Sequence, residues 1–215
     1  TMAAKLHFKI PSDKLSFATG KHDIQPASQT KLKALAKVLD QIENKYANAI
    51  SRVILNGAAD QSPMSNQMRG YKPAKLASLQ PIENCNVLSG KAKLECIMTN
   101  NFHLSSNRAD EVTRFIRKSV TATGLKPERK YQKLGLGPVK KYSAGCKPNT
   151  TCDKDRFVEI SFDLGDDVSE ANGKKIEKLL TDVIKKQFGA PLSEEAAIAD
   201  SERFWDGLEE ALQSL

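Results

Sequence analysis

Leu6, Phe8 and Ile10 alternate with polar neighbours, and Leu15 and Phe17 follow a Pro11-Ser12-Asp13 break. This period-two pattern predicts a strand or hairpin with one buried face. From Pro26 to Asn44, Leu32, Leu35, Ala36, Val38, Leu39 and Ile42 recur at steps of three and four, the stripe of an amphipathic helix whose start Ser28 is placed to cap. Ile50 to Asn56, rich in Val and Ile and closed by Gly57, reads as a buried strand. Residues 61–100 carry Pro63, Gly70, Pro73, Pro81 and Gly90 and hold no period of either kind, so an irregular insertion is expected there. Periodicity returns with Leu104, Ala109, Val112, Phe115 and Ile116, which predict a helix over Leu104–Val120 ended by Gly124. Tyr131–Leu136 is a short strand, Pro138–Asp153 a loop, and Arg156–Leu164 a last strand carrying Phe157, Ile160 and Phe162.

Beyond Asn172 a stripe of Ile176, Leu179, Leu180, Val183, Ile184 and Phe188 predicts one helix. After Gly189-Ala190-Pro191, the residues Ile198, Phe204, Trp205, Leu208 and Leu212 predict a second. Such stripes pack on the domain's own core or offer a surface to a partner or a second copy in a homodimer. The organisation expected is one α/β domain over residues 1–164, interrupted by the insertion 61–100, followed by a helical extension over 165–215.

Composition changes this picture little. Of 215 residues, 40% are hydrophobic and 27% charged, ordinary values for a folded domain. The formal charge is +7 and the pI near 9.2. Nucleic acid, an anionic membrane and an acidic polymer all reward clustered cations. The lysines are scattered, however, with no run of five or more basic residues, so the charge reads as a solvated surface and no nucleic-acid partner is expected. No stretch has the roughly 18 apolar residues of a spanning helix, and no signal peptide opens the chain. Because Thr1 precedes Met2, an export signal or membrane anchor upstream of Thr1 is expected.

The cysteines form two local pairs, Cys85 with Cys96 and Cys146 with Cys152, flanked by Pro, Asn, Gly or Lys. That placement suggests two disulfide staples in loops; free thiols and a zinc site are the other readings. Zinc ligands converge through C-x-x-C knuckles with histidines nearby, a spacing that neither pair has. Disulfides persist in oxidising compartments, which points to the periplasm or the exterior.

Catalytic signatures are missing. Nothing matches G-x-S-x-G, H-E-x-x-H or G-x-x-x-x-G-K-[ST], and Gly135-Leu136-Gly137 runs into Pro138 rather than a helix-opening glycine. His7, His22 and His103 fall in different elements and read as structural or surface residues. No enzyme activity, metal or cofactor is expected.

One constellation is specific. Gly57-Ala58-Ala59-Asp60 ends a strand, Asn101-Phe102-His103-Leu104-Ser105-Ser106-Asn107-Arg108-Ala109 opens a helix, and Asp155-Arg156-Phe157-Val158-Glu159-Ile160 enters the last strand. With Phe17-Ala18-Thr19-Gly20 before the first helix, this order resembles the OmpA-like C-terminal, peptidoglycan-binding family over about Leu15 to Leu164. Phe102 after Asn101, Pro63 after Asp60, and Gly20 are closer in style to the MotB-type branch, which anchors ion-driven stators to the wall.

The resemblance implies a β-α-β-α-β mixed sheet packed on helices, in a Gram-negative periplasm, tethered to the inner or outer membrane by an upstream segment. Its ligand would be the diaminopimelate of the wall peptide. Asp60 would pair with the ammonium, and Arg108 would offer its planar fork to a carboxylate. Backbone N–H groups of Leu104 and Ser105 at the helix start would add donors, and Asn101 would fix the loop that presents them. Ala58, Ala59, Ala18 and Phe157 depart from the family pattern and put ligand choice in question. The partner would be a stator-type membrane complex. An outer-membrane or lipoprotein anchor, and a basic interaction module without peptidoglycan binding, are the alternatives.

Overall fold

The computed structural model describes residues 5–17, 22–59, 85–138, 156–190 and 192–193. Strand β1 (Lys5–Pro11) alternates as its sequence requires, with Leu6, Phe8 and Ile10 buried and Lys5, Lys9 and Pro11 exposed. Helix α1 (Pro26–Lys45) starts with Pro26 in its first turn, where the missing N–H costs no helical hydrogen bond. Ser28 is not its cap. The helix begins behind Gln25, and the buried Ser28 hydroxyl accepts the Ser16 N–H at 2.9 Å, which ties the preceding segment to the helix.

Strand β2 (Ile50–Ala59) leads through helix α2 (Gly90–Ser119) to strand β3 (Tyr131–Pro138), which pairs with β2 in parallel. A parallel neighbour demands a crossover of this kind. Strand β4 (Phe157–Leu164) runs antiparallel to both β1 and β2. Helix α3 (Glu170–Phe188) starts at Ser169, whose hydroxyl accepts the Asn172 N–H at 3.3 Å. Strand β5 (Leu192–Ser193) adds two residues to the edge at β1. The result is a mixed sheet in the order β3-β2-β4-β1-β5.

The registers Leu6↔Phe162, Phe8↔Ile160 and Leu55↔Ile160 line up one apolar face of the sheet. Leu32, Leu35 and Leu39 of α1, Val112 and Ile116 of α2, and Ile176, Leu180, Ile184 and Phe188 of α3 join that face in a single core. At its centre the rings of Phe8 and Phe162 meet edge to face, 6.1 Å between centroids. Each large side chain buried this way contributes about 1.5–3 kcal/mol.

Three further expectations need correction. Helix α2 starts at Gly90, not near Leu104, so the end of the region expected to be irregular is helical. Gly124 does not terminate it: α2 ends at Ser119, and Gly124 lies in a separate 3₁₀ turn, Thr123–Leu125. The strand expected at Leu15 and Phe17 shrinks to one bridge, Phe17 with Ile24, while Leu15 is buried in the core. The second tail helix over Ile198–Leu212, and Cys146 and Cys152, lie outside the described residues. Among the described residues no helix is long and apolar enough to cross a membrane.

Candidate functional site

The site is built where α2 crosses the last turns of β2 and β3. Gly57 and Gly135 are partners in the β2–β3 ladder. A Cβ on Gly57 would collide with the Ser105 carbonyl oxygen, and one on Gly135 with the Ser106 hydroxyl. The two glycines therefore let the helix backbone lie almost on the sheet.

At this crossing α2 is buried on every side. Each residue from Thr99 to Ala109 is buried, among them Asn100, Asn101, His103, Ser105, Ser106, Asn107 and Arg108. A helix buried all round is normally apolar, because burying an unpaired amide or hydroxyl costs several kcal/mol. Partners hold several of these groups, whereas the buried Ser106 hydroxyl has no hydrogen-bond partner among the described residues. The Ser105 hydroxyl donates to the Phe102 carbonyl at 2.7 Å, and the Asn100 amide donates to Cys85 Sγ at 3.2 Å. Arg108, 4% exposed, lays its guanidinium over the Phe17 ring, 4.9 Å from Cζ to the centroid.

Cys85 and Cys96 form a disulfide, with Cα atoms 5.6 Å apart. It joins the short turn Cys85–Val87 to the second turn of α2, one turn before Asn100. The helical extension that precedes the buried stretch is thereby fastened to the chain that enters it.

On the sheet's other face a polar row crosses three strands. The Asn56 amide donates to Glu159 Oε1 at 3.1 Å, the Ser161 hydroxyl lies 3.5 Å from the same oxygen, and His7 Nδ1 shares a 2.8 Å hydrogen bond with Ser161. Glu159 is 1% exposed. Two departures from the family pattern meet beside this row. Ala58 and Phe157 are register partners and share a small apolar cluster with Leu136. The Phe157 ring also carries Lys9 Nζ, 4.1 Å from its centroid.

Among the predicted site residues, Asn101, Leu104, Ser105 and Arg108 all lie on α2, and Asp60 lies outside the described residues. Leu104 and Ser105 stand fourteen and fifteen residues past Gly90, roughly 20 Å along the helix axis. Their N–H groups lie inside the helix and turn to the carbonyls four residues back, so they are not donors at a helix start. Asn101 likewise belongs to the helix rather than to a loop. Sequence reasoning missed Phe17 as the ring beneath Arg108; the signal available was an aromatic inside one of the resembling segments.

No protein-family model matches the chain. A search of curated proteins finds no match. Solved structures do resemble it. The crystal structure of a MotB periplasmic domain superposes with a TM-score of 0.45 at 16% identity, over 82% of this chain and 70% of that one. Two structures of the periplasmic domain of Helicobacter pylori MotB give 0.44 at 16% and 0.42 at 15%, covering 84% and 90% of those chains.

Proposed function

We propose that the chain binds peptidoglycan without catalysis, through the diaminopimelate of the stem peptide, and so anchors a membrane protein or complex to the cell wall in the periplasm. The observation that supports this best is a convergence of the resembling segments. Phe17 meets Arg108, Gly57 abuts Ser105, and Ala58 pairs with Phe157, contacts that join residues 91, 48 and 99 positions apart.

In this reading the ligand set is Asp60 for the ammonium and Arg108 for a carboxylate, with Asn101 in support. Leu104 and Ser105 lose their role as backbone donors, and Ser105 becomes the point where α2 rests on the sheet. The Cys85–Cys96 disulfide suits an oxidising compartment. Phe102, Pro63 and Gly20 favour a stator-type anchor over a lipoprotein-type one.

Co-sedimentation with purified sacculi tests the reading. Retention should be lost on adding free diaminopimelate. Arg108→Ala and Asp60→Ala should each weaken binding by roughly 30-fold or more, since removing one partner of a desolvated charge pair costs about 2–5 kcal/mol. Arg108→Lys should fail as well, because an ammonium cannot give a carboxylate two parallel donors. Retention that yields only to salt would replace this reading with nonspecific charge attraction.

A further inference from the structure

Arg108 is long and flexible, yet a fork that reads a carboxylate must be held in one plane before the ligand arrives. A contact on the face of the fork can set that plane. The partner comes from the other end of the sequence: Phe17, whose ring lies under the guanidinium at 4.9 Å. We infer that Phe17 is the positioning residue of the site, the platform that sets the plane of the Arg108 guanidinium. The inference rests on the proposed role of Arg108 in binding.

The platform is itself fixed. Phe17 pairs with Ile24 in a β-bridge, and Ile24 is 5% exposed within the core. The Gln25 N–H donates to the Ser16 carbonyl at 3.1 Å, the Ser16 N–H to the Ser28 hydroxyl at 2.9 Å, and the Gln29 side-chain amide to the Ile24 carbonyl at 3.0 Å. These bonds clamp the chain on both sides of the ring to the first turn of α1. The ring packs against the same core that seats Val112, one turn beyond Arg108 on α2.

The geometry suits the task because the two kinds of contact do not compete. A guanidinium donates its hydrogen bonds in its own plane, while the ring quadrupole attracts it through the face. Stacking on Phe17 covers a face and leaves the edges to in-plane acceptors, whichever they are. With Arg108 only 4% exposed, the attraction is screened less than it would be at a surface. A branched aliphatic side chain of similar bulk would fill the space but neither orient the plane nor attract the charge.

The test measures sacculus binding of the parent, Phe17→Leu, Phe17→Tyr, Arg108→Ala and Arg108→Lys, with folding checked by circular dichroism and chemical denaturation. Phe17→Leu should bind roughly 5- to 30-fold more weakly, the range of a desolvated cation–π contact, and Phe17→Tyr should restore binding because its ring is retained. A readout independent of the wall is the NMR signal of the Arg108 guanidinium protons in the free protein. Ring current should shift them upfield in the parent and in Phe17→Tyr, and the shift should vanish in Phe17→Leu. If Arg108→Ala loses binding while a folded Phe17→Leu binds like the parent, the positioning role is overturned and the wall-binding reading stands. If Arg108→Ala binds like the parent, the wall-binding site fails first and takes the role of Phe17 with it.

Discussion

Gly57 and Gly135 sit opposite each other in the parallel β2–β3 ladder, and together they admit α2 to the sheet at Ser105 and Ser106. One hydrogen on each Cα replaces a methyl group at the point where a helix carrying a run of buried polar residues must come closest. The placement of Arg108, one helical turn beyond Ser105, is inherited from this contact.

Alanine at either glycine should therefore destabilise the fold, and the two costs should differ. At Gly57 the obstacle is the Ser105 carbonyl, which can move only with the helix; at Gly135 it is first the Ser106 hydroxyl, which can rotate. We expect about 2–3 kcal/mol for Gly57→Ala and about 1–2 kcal/mol for Gly135→Ala, the range for overpacking a close contact. Ser106→Gly should recover part of the loss in Gly135→Ala and none of it in Gly57→Ala, as seen in urea unfolding of the double variants. Equal costs, or rescue of both, would count against this arrangement.

Reducing the Cys85–Cys96 disulfide should act locally before it acts globally. The bond closes a loop of separation 11, for which the chain-entropy account gives about 2–3 kcal/mol. Hydrogen exchange on the reduced protein should show loss of protection in the first turns of α2, from Gly90 to about Asn100. The last turns, from Val112 onward, pack in the main core and should stay protected. Uniform loss along α2 would mean that the bond supports the whole helix.

The strands and α1 were legible because their apolar residues keep a strict period: Leu6, Phe8 and Ile10 at two, Leu32, Leu35 and Leu39 at three and four. The start of α2 was not. Residues 90–103 bury Cys96, Asn100, Asn101 and His103, and the helix is held there by a disulfide, so hydrophobic periodicity has little to register. Polar residues on β4 were hidden for a related reason. Glu159 and Ser161 look like the solvated half of an alternating strand, yet both are buried, because Asn56 and His7 answer them from neighbouring strands. At the candidate site, motif order singled out Arg108 as a candidate. Its support from Phe17 is a contact between distant segments, which no local pattern encodes.

Asp40 should be worth more to stability than its half-buried position at the edge of α1 suggests. Its carboxylate accepts the Thr121 N–H at 2.8 Å, the Thr121 hydroxyl at 2.7 Å and the Ala122 N–H at 2.8 Å, fastening α1 to the chain that leaves α2. Bonds to an ionised acceptor are the stronger kind. Asp40→Ala should cost about 1–3 kcal/mol, and Asp40→Asn less, since one acceptor oxygen survives. Exchange of the Thr121 and Ala122 amides should quicken in both variants. Unchanged exchange in Asp40→Ala would remove the latch.

Tyr131 should give the protein a characteristic loss of stability in alkali. Burial pushes its phenol up from 10.0 to about 12, Asp40 adding to the rise and Arg117 opposing it. Its hydroxyl donates to the Leu125 carbonyl at 2.8 Å, a bond that only the protonated form can make. The folded chain therefore holds this proton more tightly than the unfolded chain does. The stabilisation is complete below the unfolded value near 10 and disappears as pH rises through about 12. Tyr131→Phe cannot titrate, so at neutral pH it should lie about 1 kcal/mol below the parent for want of the bond to Leu125. The gap should close with rising pH, because ionisation removes on the order of 1–2 kcal/mol from the parent alone. Every other titratable group is the same in both proteins and cancels in the difference. Guanidinium unfolding of the pair from about pH 8 to about pH 11.5 provides the comparison, and absorbance at about 295 nm should show a late phenol ionisation in the parent that is missing from Tyr131→Phe. Parallel stability curves for parent and variant would mean that Tyr131 ionises as readily folded as unfolded, and that its burial against Leu125 has been misjudged.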